Sequence, residues 1–251
     1  VLSSEWDYSP LFYPTALERG GSPAYEDFIL LGIPACDSQN PLILPLMAHE
    51  LGHAFWHRIV MKARFGQPFA DLRVNLEKQA HKIATDNWEI ICNAIGIEID
   101  DYPAPSLEDL EINSSLRNSL ETFRSICRSQ AEETFCDLFG IAIFGHSYLR
   151  AFSSLVSPGF SQTSTRLYPS LSVRVQHMFI GAYHILKEGP PASFTEDFSK
   201  NLRLNSKAFP IDGLTAFDES TPKRSHDQNL YDLAETVVIN CAEMLAHSAL
   251  L

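Results

Sequence analysis

The chain is poor in the residues that would build a disulfide or thiolate scaffold. Its five cysteines (Cys36, Cys92, Cys127, Cys136 and Cys241) are odd in number, widely spaced and contain no Cys-x-x-Cys pair. Neither a disulfide framework nor a cysteine-based zinc site follows from that pattern, and buried free thiols in a reducing compartment are the simpler reading. Basic residues are also scarce. With 19 Lys and Arg against 31 Asp and Glu, the net charge is -12, which argues against a nucleic-acid partner that needs clustered cations to neutralise phosphates. Long apolar runs are missing as well. The most apolar pieces, Phe28–Pro34 and Leu42–Ala48, fall far short of the roughly 18 residues a membrane-spanning helix requires. The first residues carry no basic-then-apolar leader pattern. A cytoplasmic location is expected, and an upstream segment stays open because Val1 is not preceded by Met. No internal repeat or low-complexity tract is present.

What remains is ordinary globular composition, 45% hydrophobic and 20% charged over 251 residues, enough for one large domain without covalent staples. Residues 1–27, rich in Pro, Gly, Tyr and Ser, read as an irregular arm. The branched apolar run Asp27–Ala35 is the best strand candidate. Asp37–Pro41 reads as a turn, after which Leu44, Met47, Leu51, Ala54 and Phe55 recur at helical spacing to about Arg64. Further helices are expected over Asp71–Ile95, from Ser106 through Ile126, over Ser129–Val156, over Ser170–Lys187, briefly after the capping box Ser193–Glu196, and over Asn229–Ala249. The prolines of the loop Asp100–Pro105 break the pattern. The expected fold class is mainly α (α+β): a single domain over 1–251 with a small N-terminal β element.

The segment that carries chemistry is His49-Glu50-Leu51-Gly52-His53. Residues four apart share one face of a helix, so His49 and His53 can present imidazole nitrogens to one metal ion. Glu50 is rotated about 100° away from His49; it reaches a water on the open side of the ion and can act on it as general base. Gly52, without a side chain, permits close approach of a neighbouring segment. The competing reading is an amphipathic helix with two exposed histidines.

The stretch Pro45–Ala54 resembles the active-site helix of zincin metallopeptidases. The metzincin branch of that family carries a downstream glycine and a third histidine, but here Trp56 occupies the glycine position and residues 65–67 hold no histidine. His57 follows His53 by four residues, yet three ligands on one straight helix cannot close around an ion, so His57 is read as solvated or as supporting a ligand from behind. Gluzincins take their third ligand from a downstream Glu-x-x-x-Asp, and Glu133-Thr-Phe-Cys-Asp137 is similar to that pattern. The resemblance implies Glu133 as third ligand and Asp137 as the acceptor that orients a ligand histidine. Glu132 competes, but has no Asp four residues on. The 80 residues between His53 and Glu133 imply a helical insert over 66–128, over the cleft or beside it, or else plain core.

Tyr168-Pro169-Ser170-Leu-Ser-Val-Arg174 is similar to the His-Pro-x-x-x-x-Arg segment of the gluzincin branch containing the CAAX prenyl-protein proteases, with Tyr168 in place of His. A phenol can donate to a developing oxyanion and Arg174 can add positive charge; equally, the segment is a helix-opening loop with Arg174 in a surface ion pair. His146 is a further oxyanion candidate, while His177 and His184 read as core or surface groups. Together these features imply a zinc-dependent metallopeptidase holding one Zn2+ through His49, His53 and Glu133, with Glu50, Tyr168 and Arg174 catalytic and a peptide or protein as substrate. The alternative is a zinc-binding regulatory or sensor module without turnover, although an unligated Glu50 has no use in a closed structural site.

Overall fold

In the computed structural model, the structure describes residues 2–5, 11–12, 31–34, 40–41, 43–57, 67–95, 114–156, 163–194, 196, 198 and 226–250. The described part is mainly helical. Three short strands, β1 (Leu2–Glu5), β2 (Leu11–Phe12) and β3 (Leu31–Pro34), form a sheet in the order β1-β3-β2. β1 pairs parallel to β3, Leu2 opposite Leu31, and β2 pairs antiparallel to it, Phe12 opposite Leu31.

Helix α1 (Ile43–Phe55) carries the histidine motif and ends in a π-helical turn at 56–57. Then come α2 (Gln67–Asp86), α3 (Trp88–Ile95), α4 (Ser114–Phe144), α5 (His146–Ala151) with a π-helical extension Phe152–Val156, and α6 (Leu171–Gly181) with a second extension Ala182–Leu186. Helices α7 (His226–Asn240) and α8 (Ala242–Ser248) close the chain. Among the described residues no helix is long and apolar enough to cross a membrane.

α4 is the axis of the molecule: α1, α2, α6 and α7 all pack on it. Its 31 residues make it about 46 Å long. Its buried positions Leu120, Phe123, Cys127, Ala131, Phe135 and Leu138 keep a three-and-four spacing throughout. That unbroken stripe is why, from Ser114 on, the helix expected through Ile126 and the one expected from Ser129 are one; residues 106–113 of the first lie outside the described residues. The start expected at Ser129 falls inside α4, where the Gln130 side chain donates to the carbonyls of Thr165 (2.8 Å) and Tyr231 (3.3 Å). Conversely, two expected helices are split. Asn87 interrupts 67–95, its side chain donating to the Ile83 carbonyl at 2.9 Å, and Cys241 interrupts 226–248 with φ -103° and ψ 2°.

The segment 67–95 shares one apolar core with the rest. Phe69, Leu72, Leu76, Ala80 and Ala84 of α2 and Ile91 of α3 pack in the same cluster as Phe123, Ile126 and Phe135 of α4 and Leu233 and Val237 of α7. Beside that face, Glu77 of α2 accepts a hydrogen bond from Arg128 at 2.9 Å and forms an ion pair with Arg124 at 3.4 Å.

Candidate metal centre

The site lies where α1 crosses α4. Each helix presents residues at i, i+3 and i+4 to the other: His49, Gly52 and His53 from α1, Glu133, Cys136 and Asp137 from α4. A Cβ on Gly52 would stand 2.8 Å from the Cys136 Cα, a separation that only glycine tolerates. The two helices can therefore come close enough for their side chains to meet at a single point.

His49 lies between two carboxylates. Its Nδ1 is 3.0 Å from Asp137 Oδ1 and its Nε2 is 3.1 Å from Glu133 Oε2. His53 has its Nε2 3.6 Å from the other oxygen of the same carboxylate, Glu133 Oε1. The two imidazole rings stand edge to face, with centroids 5.1 Å apart. Nε2 of both histidines thus faces Glu133, while each Nδ1 is held from behind.

What holds them differs. Behind His49, Asp137 is 1% exposed and receives three further donors. Arg174 Nε donates to Oδ2 at 2.8 Å, Arg174 Nη2 to Oδ1 at 2.7 Å, and the Tyr148 hydroxyl to Oδ1 at 2.6 Å. Burial raises the Asp137 pKa, but Arg174 and His49 outweigh it and hold the group ionised, well below the usual carboxylate range. Behind His53, Glu132 Oε1 lies 2.7 Å from Nδ1 and also 3.0 Å from His57 Nε2. Burial raises the Glu132 pKa too, and the two histidines bring it down to about 2.

These residues suit a divalent cation. Two imidazoles and one carboxylate are the donor set of an open zinc site, and hydrogen bonds at Nδ1 orient each ring with its other nitrogen toward Glu133. The electrostatics agree. Burial lowers the His49 pKa, yet hydrogen bonds to Asp137 and Glu133, reinforced by their charges, raise it to about 10. A point that draws a proton so strongly against burial is one where positive charge is wanted. Cys136 is near as well: its sulfur and one nitrogen of each of His49 and His53 lie within 4.8 Å of one another. Its thiol pKa is pushed well up by burial and by the charges of Glu133, Glu132, Asp137 and Glu50. The Glu133 carboxylate lies 3.1 Å and 3.6 Å from the facing nitrogens of His49 and His53.

Of the other expected site residues, Glu50 is half-buried on α1, and its charge is felt at Tyr168. Tyr168 stands on the loop before α6 with its ring centroid 5.7 Å from the Arg174 guanidinium carbon. Burial, Glu133 and Glu50 raise its pKa while Arg174 lowers it, and the net direction is upward, so the phenol stays a donor. Arg174 is not in a surface ion pair. It is 2% exposed, stacked over Phe152 at 5.1 Å and bidentate on Asp137, because α6 delivers it into the interior behind His49. His146 pairs with Glu188 at 3.6 Å. His177 is buried, its pKa lowered by burial to about 4, and His184 is exposed.

Two contributors are invisible to motif spacing. Glu132 lies behind His53, on its Nδ1, and Tyr148 backs Asp137. Tyr148 reaches its place because α4 ends at Gly145, whose φ of 55° reverses the chain, and because Gly140 leaves room: a Cβ there would lie 2.4 Å from the Tyr148 ring. The isolated glycines in a helical pattern were the available signal. Comparison of the chain with protein-family models, with curated proteins and with solved structures finds no match.

Proposed function

We propose that this chain is a zinc-dependent metallopeptidase of the gluzincin type, with His49, His53 and Glu133 holding one zinc ion and a peptide or protein as substrate. The observation that carries the reading is the convergence of both Nε2 atoms on one carboxylate while both Nδ1 atoms are tied to other carboxylates. When bound, zinc supplies the Lewis acidity that acidifies water and polarises a scissile carbonyl. Glu50 takes the proton of the attacking water and delivers it to the leaving amine. The Tyr168 phenol donates to the oxygen on which negative charge develops. Arg174 acts through Asp137 as a positioning residue for His49, instead of meeting the oxyanion as its motif implied. The same reading takes the fold as zincin-like, with the short sheet as its β element. It places the protein in the cytoplasm, in keeping with free, buried thiols at Cys92, Cys127, Cys136 and Cys241.

The test is zinc content by elemental mass spectrometry, paired with cleavage of a peptide library, for wild type, Glu133→Ala and Glu50→Gln. Wild type should carry one zinc per chain and cleave peptides. Glu133→Ala should lose the metal, and Glu50→Gln should keep it while turnover falls by about 10²- to 10⁴-fold. Full activity in Glu50→Gln sinks the mechanism. Zinc uptake without any cleavage hands the site to the sensor-module reading.

A further inference from the structure

The two histidines are supported by chains of the same form but different character. His49 leans on Asp137, which leans on Arg174: buried, bidentate and permanently charged. His53 leans on Glu132, which leans on His57. There, one carboxylate oxygen, Oε1, meets both His53 Nδ1 at 2.7 Å and His57 Nε2 at 3.0 Å. The His57 side chain is 52% exposed while that of Glu132 is 16% exposed, so this second chain runs from the site to solvent within one helical turn.

We propose that His57 is a positioning residue for the metal site, acting on His53 through Glu132. The inference rests on the zinc reading above. Glu132 sits next to Glu133 on α4, and its carboxylate has three rotatable bonds and a route to solvent. With His57 Nε2–H donating to Oε1, the carboxylate stays facing His53 Nδ1; without it, Glu132 is free to turn outward, and the His53 ring loses the acceptor that points its Nε2 at Glu133. Supporting carboxylates of this kind are worth about 10- to 100-fold in metal affinity. His57 stands one link further out.

The experiment is a zinc titration against a chromophoric chelator, with zinc ion as the only probe, for wild type, His57→Ala, His57→Gln, Glu132→Ala and the double variant His57→Ala/Glu132→Ala. Melting of each metal-free protein is measured alongside. His57→Ala should weaken zinc binding by about three- to tenfold, below the full effect of a directly supporting group. Its metal-free melting temperature should stay put, since the side chain is half exposed. His57→Gln, whose amide N–H can donate to Glu132, should recover most of the affinity. In the Glu132→Ala background, His57→Ala should add nothing, because the coupling runs through the missing carboxylate. Equal affinity of His57→Ala and wild type overturns the proposal, as does an undiminished His57 effect in the absence of Glu132. Failure of the wild type itself to take up zinc would instead overturn the metallopeptidase reading.

Discussion

Gly52 on α1 lies directly against Cys136 on α4, so that a Cβ added to the glycine would meet the Cys136 Cα at 2.8 Å and its sulfur at 3.0 Å. His49 and His53 flank the glycine, and Glu133 and Asp137 flank the cysteine. The contact therefore sets the distance between the two halves of the site.

Gly52→Ala should destabilise the protein by about 1–3 kcal/mol, the usual cost of overpacking. It should also weaken zinc binding, because the clash is with backbone and only parting of the helices relieves it. Cys136→Ala should not rescue the variant, as it leaves the Cα in place. Thermal melting and a zinc titration read the two effects separately. An unchanged zinc affinity in Gly52→Ala would show that the site does not depend on this spacing.

Arg174→Leu leaves Asp137 buried beside His49 without its bidentate partner. The expected loss is about 3–5 kcal/mol, as for other buried pairs broken on one side. Tyr148→Phe removes only the hydroxyl that donates to Asp137 at 2.6 Å and should cost about 1–3 kcal/mol. Urea unfolding of the metal-free proteins measures both, and a larger loss for Tyr148→Phe than for Arg174→Leu would contradict this ordering.

Metal removal should expose a pH dependence on the alkaline side. The His49 pKa of about 10 in the folded chain exceeds its ordinary 6.5. The native state then binds more protons than the unfolded state between those values. Stability from this group is complete below pH 6.5 and is lost as pH rises through 10. The metal-free protein should weaken over that window, and His49→Gln should abolish the slope. With zinc in place of the proton the slope should also vanish. Unfolding free energies across the window, with and without a chelator, decide the matter.

On the acid side the sign reverses. The His177 pKa is lowered by burial from 6.5 to about 4, so between these values the unfolded state binds the extra proton. Stability contributed by keeping His177 neutral is present above pH 6.5 and falls as pH drops toward 4, by a total on the order of 3 kcal/mol. His177→Leu should flatten this limb in the metal-free protein and leave the alkaline limb alone. An unchanged acid limb would mean that other groups carry it.

Much of the helical content was legible in the chain, because apolar residues at three-and-four spacing need only a neighbouring face to bury against. Breaks and joins were less legible. A helix start is expected at Ser129, yet α4 runs through it, since the buried stripe Phe123, Cys127, Ala131 and Phe135 continues across that point. Asn87 and Cys241 look unremarkable and nevertheless interrupt helices.

The sequence by itself determined the local part of the site. Helix geometry puts His49 and His53 on one face whatever surrounds them, and the same geometry groups Glu133 with Asp137. Only the tertiary structure decided which carboxylate faces which nitrogen, because that depends on how α1 crosses α4 at Gly52 and Cys136. It assigned Glu132 to His53, turned Arg174 inward onto Asp137 and brought Tyr148 back over Gly140 to the same carboxylate. Those partners are 11 to 79 positions apart, and no local spacing rule reaches so far: burial of apolar faces docks the helices, and the buried charges must then pair with whatever the docking brings within reach.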